Sequence, residues 1–166
     1  MKRKVILVTD GDNVARKTVE VAVKKIGGRC ISKSGGNPTP ITGDKIAGLT
    51  KTAKYDPVVL MFDDVGDSGR GKGEIALDTI LCHPDMEVLG VIAVASNTSE
   101  VEGIKVDFSI DNNGKIVKNA VDKKGEETDT NILYGDTVDI LNQYNLPIVV
   151  GIGDVGCGWK KCTAHK

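Results

Sequence analysis

The chain has 166 residues, of which 40% are hydrophobic and 27% charged, and its formal net charge is −1. This length suffices for one domain with a sizeable core, and the composition argues against disorder. The near-neutral charge excludes a global attraction to nucleic acids or anionic membranes, and no apolar run approaches the about 20 residues of a membrane span.

Short apolar strands alternate with amphipathic helices along most of the chain. Continuous β-branched runs predict buried strands, and apolar residues three and four apart predict helices. Asp12 or Asn13 is suited to cap the first helix, and Gly27 to end it. In chain order the predicted elements are strand 5–8, helix 13–26, strand 30–32, helix 44–52, strand 57–62, helix 74–82, strand 88–95, a hairpin of 106–110 and 116–121, helix 135–144 and strand 147–152.

This alternation predicts an α/β fold, a three-layer sandwich with helices on both faces of a mostly parallel, Rossmann-like sheet, plus a β-hairpin. We expect one α/β domain over residues 1–156 and a short tail over 157–166 that has no helical stripe. A doubly wound sheet usually closes with a helix over its last strand. The tail therefore looks truncated, or a partner chain covers that strand, which would make a homo-oligomer through it.

Three predicted strands end in aspartates: Asp10 and Asp12 follow the first, Asp63 and Asp64 the third along the chain, and Asp154 the last. Ligands of open parallel sheets lie beyond the carboxyl ends of the strands. Clustered carboxylates repel one another unless a hard cation neutralises them. We predict a metal site formed by Asp10, Asp63 and Asp64, with Mg²⁺ as the candidate cofactor, and we interpret Asp12 as a helix cap. The alternative is that all these aspartates only cap helices and bind loop amides.

A glycine-rich loop at 66–73 lies between a predicted strand and a predicted helix and nearly matches the phosphate-binding P-loop pattern. Gly73 stands where that pattern needs a hydroxyl, which argues against a nucleoside triphosphate site. Backbone N–H groups, two basic side chains and the helix N-terminus predict a phosphate or anion site instead. That site would consist of Gly69, Arg70, Gly71, Lys72 and Gly73, and a plain surface loop is the alternative.

Other catalytic patterns fit less well. The order of Asp10, Asp12, Ser96 and Asp154 is similar to the motifs of haloacid-dehalogenase phosphatases, in which Asp10 would be the nucleophile, but no lysine motif is identifiable. Two His are too few for a Ser/His/Asp or Cys/His arrangement, and 4% aromatics offer no stacking platform for nucleic acid. We therefore predict no catalytic residue and no nucleic-acid partner.

Eight segments carry a resemblance that extends from about residue 3 to about residue 156. They are residues 4–12, 27–32, 35–39, 56–64, 71–74, 88–98, 135–137 and 147–154. Taken in order, they resemble the stage V sporulation protein AE family. The resemblance is specific because many segments agree in order, and members of the family typically continue into a further helical segment where this chain has its short tail.

The resemblance implies an accessory protein of sporulation and spore germination, which acts with the system that moves dipicolinic acid with calcium. As partners it implies the other proteins of that system, including its membrane components. The apolar stretch after the basic N-terminus ends at Asp10, which is too short for a signal peptide. We therefore expect a soluble protein of the forespore or spore, peripheral to the inner membrane.

A Toprim-like fold is also implied by resemblance. In Toprim domains a Glu follows the first strand and Asp-x-Asp follows the third, and together they bind Mg²⁺ for phosphoryl transfer. Here Asp10 takes the position of the Glu, and Asp63 and Asp64 are adjacent instead of alternating. These departures favour a non-enzymatic protein that binds partners and a metal or anion. The alternative is a Mg²⁺-dependent phosphoryl-transfer enzyme or nuclease, with Lys72 or Arg70 on the phosphate.

Overall fold

A computed structural model of the chain describes residues 1–65, 70–98 and 100–156. Its strands are β1 (Arg3–Val8), β2 (Arg29–Cys30), β3 (Val58–Met61), β4 (Met86–Val94), β5 (Ile104–Lys105), β6 (Phe108–Ile110), β7 (Ile116–Val117), β8 (Ile132–Leu133) and β9 (Val149–Ile152). Its α-helices are α1 (Asn13–Lys25), α2 (Gly43–Thr52) and α3 (Lys72–Leu81), and two 3₁₀ helices span Ser32–Ser34 and Asp139–Gln143. The predicted tail, 157–166, lies outside the described residues.

Seven strands form one sheet in the order β2-β3-β1-β4-β9-β6-β7. Its neighbours pair in parallel except β6 and β7, which are antiparallel and form the predicted hairpin. The strands β5 and β8 make a separate antiparallel pair. The prediction of an α/β fold with a mostly parallel sheet is confirmed. Because β3, β1, β4 and β9 are neighbours and run in parallel, their carboxyl ends stand side by side.

Helix α1 covers one face of the sheet, and its predicted limits are nearly those observed. The side chain of Asp12 accepts a hydrogen bond from the Ala15 N–H at 2.8 Å, which confirms Asp12 as the cap. Val23 is buried against a small apolar cluster with Val59 and Met61 of β3. Burial of this narrow apolar stripe is what holds an otherwise charged helix on the sheet.

Helices α2 and α3 lie over the opposite face, where the larger core is found. Thr42 caps α2 by accepting from the Lys45 N–H at 3.3 Å. Ile46 of α2 and Leu77 of α3 are fully buried in the same cluster as Leu7 of β1. Because helices cover both faces of the sheet, the side chains of the parallel strands are buried and apolar on each face. The sequence predicted this arrangement.

Three predicted elements differ in the structure, one of them the second hairpin strand, which was predicted at 116–121 and extends only over Ile116–Val117. The helix predicted at 135–144 is wrong: the segment holds only the 3₁₀ helix Asp139–Gln143. Val138 and Leu141 are both buried, and a separation of three residues fits the three-residue turn of a 3₁₀ helix as well as it fits an α-helix. The strand predicted at 30–32 is shorter, because a 3₁₀ helix begins at Ser32.

The last strand is not at an edge of the sheet. Strand β9 pairs with β4 on one side and with β6 on the other. Pairing of two copies along an edge of this strand is therefore excluded, because both of its hydrogen-bonding edges are occupied. Whether the protein forms oligomers in another way stays a prediction. Within the described ranges, no helix is both long and apolar enough to cross a membrane.

Candidate functional site

An acidic pocket of about 320 Å³ lies at the carboxyl ends of the central strands. Lys123 is the one cation among the described residues that line it. Five aspartates also line it: Asp10, Asp12, Asp63, Asp136 and Asp154. We call this hollow the acidic pocket. It occupies the position in which open parallel sheets hold their ligands.

Three of these carboxylates converge. Asp10, Asp12 and Asp154 each offer an oxygen atom, and these atoms all lie within 4.8 Å of one another. Backbone N–H groups orient each side chain: Gly11 donates to Asp10 at 2.8 Å, Ala15 to Asp12 at 2.8 Å, and Gly156 to Asp154 at 2.8 Å. Oxygen ligands held at this spacing are what a hard divalent cation requires.

Asp63 lies beside Asp10 at the bottom of the acidic pocket. The Gly11 N–H donates to Asp63 Oδ2 at 3.2 Å as well as to Asp10 Oδ1 at 2.8 Å, so the two carboxyl groups share one donor. Burial, followed by the charge of Asp10, raises the pKa of Asp63 to about 9. Burial, followed by the charge of Asp12, raises the pKa of Asp10 to about 6. Both shifts show that negative charge is unfavourable here unless a cation accompanies it.

Asp64 faces the start of α3 rather than the converging carboxylates. Its Oδ1 accepts the Gly73 N–H at 2.7 Å, and its Oδ2 accepts the Thr137 hydroxyl at 3.3 Å. A carboxylate at this end of a helix satisfies a free N–H group and complements the helix dipole. The structure therefore separates Asp64 from Asp10 and Asp63, with which the sequence had grouped it, and its role as a metal ligand stays a prediction.

The predicted anion site is largely occupied by the protein's own groups. Arg70 is paired with Asp78 at 2.6 Å. Gly71 and Lys72 begin α3, and the Gly73 N–H is held by Asp64. A side chain at Gly73 would overlap the backbone of Asp63, which accounts for the glycine by close packing. Gly69 lies outside the described residues, and anion binding stays a prediction.

Glu74 is a further buried carboxylic acid, and it lies close to Asp64. Glu74, in the first turn of α3, exposes only 7% of its surface. Burial, followed by the charges of Asp64 and Asp139, raises its pKa to about 7, and Arg70 opposes the shift. The first turn of α3 thus holds a carboxyl group that is partly neutral at physiological pH.

The residues that converge are only in part those that the sequence singled out. Asp10 and Asp63 do line the acidic pocket, but Asp12 and Asp154 complete the cluster. The position of Asp154 after the last strand was the available signal for its role. Asp12 was interpreted as a cap, which it is, and its carboxylate also offers an oxygen to the cluster. Asp136 follows no predicted strand, so nothing in the sequence marked it.

Comparison with known proteins identifies the family of the chain. A model of the protein family described as stage V sporulation protein AE1 matches residues 4–165. A search of curated proteins returned no match, and neither did a search of solved structures. The family match extends beyond the resemblance seen in the sequence, which ended near residue 156. The Toprim-like fold has no such support and stays a prediction.

Proposed function

The chain belongs to the stage V sporulation protein AE1 family and is thus a sporulation-related protein, and from this premise we propose that it is a non-enzymatic accessory of the spore dipicolinic acid system that binds a divalent cation in its acidic pocket. Its partners in this proposal are the proteins of that system, including the membrane components. It would act in the forespore or spore, at the surface of the inner membrane. The implied link between this family and dipicolinic acid supports the partner assignment.

The convergence of Asp10, Asp12 and Asp154 is the observation that carries the cation part of the proposal. Mg²⁺ binds through one or two carboxylates and keeps several waters, whereas Ca²⁺ takes six to eight oxygens. The acidic pocket is large enough for the waters that would complete either shell. A bound cation would also remove the electrostatic penalty that raises the pKa of Asp10.

Thermal unfolding with added ions tests the cation site. A ligand at about 100 times its Kd stabilises by about 2.7 kcal/mol, which raises the Tm of a chain of this size by several degrees. Mg²⁺, Ca²⁺, dipicolinate and calcium dipicolinate should be compared on the wild type and on Asp154→Asn. The matched control is Asp129→Asn, which changes an exposed aspartate that is not among the residues lining the acidic pocket.

We expect Mg²⁺ or Ca²⁺ to raise the Tm of the wild type and of the control, but not of Asp154→Asn. An unchanged Tm with every ion would reject the cation site. A rise with calcium dipicolinate, but not with Ca²⁺ alone, would indicate that the pocket recognises the complex.

Affinity purification from detergent-solubilised sporulating cells tests the partner assignment separately. The full chain should retain membrane components of the dipicolinic acid system. Recovery of none of them, under conditions in which those membrane proteins remain bound to one another, would reject that part of the proposal.

A Mg²⁺-dependent phosphoryl-transfer enzyme or nuclease is the second candidate. The contact between Asp10 and Asp63 at adjacent strand ends favours it, because such enzymes place carboxylates beside their metal ions. The pairing of Arg70 with Asp78 counts against it, since it occupies a side chain that was expected on the phosphate. If Asp63→Asn leaves phosphatase and nuclease rates unchanged, this candidate is excluded.

A further inference from the structure

A groove runs along the outer side of α2 and the edge strand β2, and it shares no lining residue with the acidic pocket. It consists of two adjoining hollows of about 450 and 430 Å³, which share Lys33 and Leu49. All charged side chains among the described residues that line it are basic: Arg29, Lys33, Lys45 and Lys54. We call it the basic groove. Its sign contrasts with the net charge of the chain, which is −1.

The cations of the basic groove are exposed and available. In the described part of the chain, no carboxylate lies within 4.0 Å of the amino groups of Lys33, Lys45 or Lys54. Lys51, also on α2, is paired with Asp85 at 2.8 Å and does not line the groove. Arg29 lies over the ring of Tyr55, 4.8 Å from its centroid, which holds the guanidinium in place.

The floor of the basic groove is apolar. Ile31, Ile41 and Ala53 are partly buried and pack against the main core from the groove side. Leu49 is half-buried between the two hollows. An apolar floor with a basic rim fits a ligand that has one apolar face and acidic groups beside it.

Gly48 is a second and independent observation in the same place. It lies in the interior of α2, where glycine is less favourable than alanine. A side chain there would meet nothing within 4 Å, whereas a side chain at Gly43 of the same helix would overlap Thr79. Gly27 and Gly114 also have open space, but their positive φ angles require glycine. The open space at Gly48 leaves room for a partner backbone to approach α2 closely.

We propose that the basic groove binds an acidic amphipathic helix of a partner protein, whose backbone crosses α2 at Gly48. The apolar face of that helix would rest on Leu49 and Ile41, and its acidic residues would pair with Lys33 and Lys45. A concave groove with an apolar floor fits a helix better than it fits a flat lipid surface. This inference rests on the proposed accessory role, because it names the surface that holds a partner.

A synthetic peptide tests the basic groove directly. The probe is a fluorescein-labelled helical peptide of about 15 residues with Leu on one face and Glu on the other, titrated with the full chain and followed by anisotropy. The double variant Lys33→Glu/Lys45→Glu should lower its affinity by at least about tenfold. The matched control is Lys115→Glu, which reverses an exposed charge beside β7 at the opposite edge of the sheet.

Gly48→Ala separates docking from stability. It should raise the Tm of the free protein by about 2–4 °C, because alanine is the better helix former. It should also weaken peptide binding by about tenfold, because its methyl group would keep the peptide backbone away from α2. A variant that gains stability and loses affinity cannot be explained by misfolding.

Three outcomes would overturn the proposal: no binding of the peptide, unchanged binding by Gly48→Ala, or equal loss of binding in the Lys115→Glu control. Binding of phosphatidylserine vesicles that Lys33→Glu/Lys45→Glu abolishes, without peptide binding, would indicate a membrane surface instead. Self-association of the chain that the same variant abolishes would indicate a second copy in the groove. Failure of the peptide test while membrane proteins still co-purify would reject the groove and leave the proposed function intact.

Discussion

Replacing Glu74 with glutamine is expected to stabilise the protein at alkaline pH and to leave its stability unchanged in acid. The pKa of this buried carboxyl group is raised from 4.5 to about 7, mainly by burial and then by the charge of Asp64. A carboxyl group whose pKa is raised in the folded state binds more protons there than in the unfolded state. Its contribution to stability is fully present below pH 4.5 and is lost as the pH rises towards 7.

The size of the effect follows from the shift. Each pKa unit corresponds to 1.36 kcal/mol, so the free energy of unfolding falls by at most about 3 kcal/mol over this pH range. Glutamine also removes a favourable negative charge from the first turn of α3. This loss lowers the free energy of unfolding of the variant by about 0.5–1 kcal/mol and offsets part of its gain. We expect Glu74→Gln to be more stable than the wild type by about 2 kcal/mol at pH 8, which raises the Tm by about 4–8 °C.

Thermal or urea unfolding of both proteins between pH 4 and pH 8 measures this difference. The matched control is Glu87→Gln, the same chemical change at an exposed position on β4. The control should follow the wild type at every pH. A Glu74→Gln variant that is equally stabilised at pH 4 and pH 8, or that is destabilised at pH 8, would show that Glu74 ionises in the folded protein without a penalty.

The remaining predictions concern the packing of α2 and α3. Asp64→Ala removes the acceptor of the Gly73 N–H and should lower the free energy of unfolding by about 1–2 kcal/mol in urea, so an unchanged midpoint would show that this bond contributes nothing. Gly43→Ala brings a methyl group against Thr79 Cβ and within 2.8 Å of Thr79 Cγ2, and it should cost about 1–3 kcal/mol. Thr79→Gly removes both of these atoms, so the double variant should lose less stability than the two single variants together, and a more stable Gly43→Ala variant would contradict the overlap. Leu77→Ala empties a fully buried site and should cost about 2–5 kcal/mol by the same assay, and a loss below about 1 kcal/mol would mean that the core refills the space.

Elements whose signals lie within a few residues could be predicted from the sequence. The Asp12 cap depends only on the next three residues, and it appears as expected. The hairpin depends on its own turn, in which Gly114 has a φ of 79°. The helix predicted at 135–144 failed because it rested on two apolar residues, which do not distinguish a short 3₁₀ helix from an α-helix. Strands β5 and β8 have two residues each, too few to show an alternation.

The acidic pocket could be predicted only in part, because its assembly depends on the order of the strands. The presence of aspartates after three buried strands can be read from the sequence, since polar groups at strand ends are a local feature. The order β3-β1-β4-β9 then decided which of them meet, and it brought Asp154 to Asp10 from the other end of the chain. A bond to the Gly73 N–H turned Asp64 to α3. Such contacts depend on the assembled fold, because burial of the whole sheet, and not any local pattern, holds these residues together.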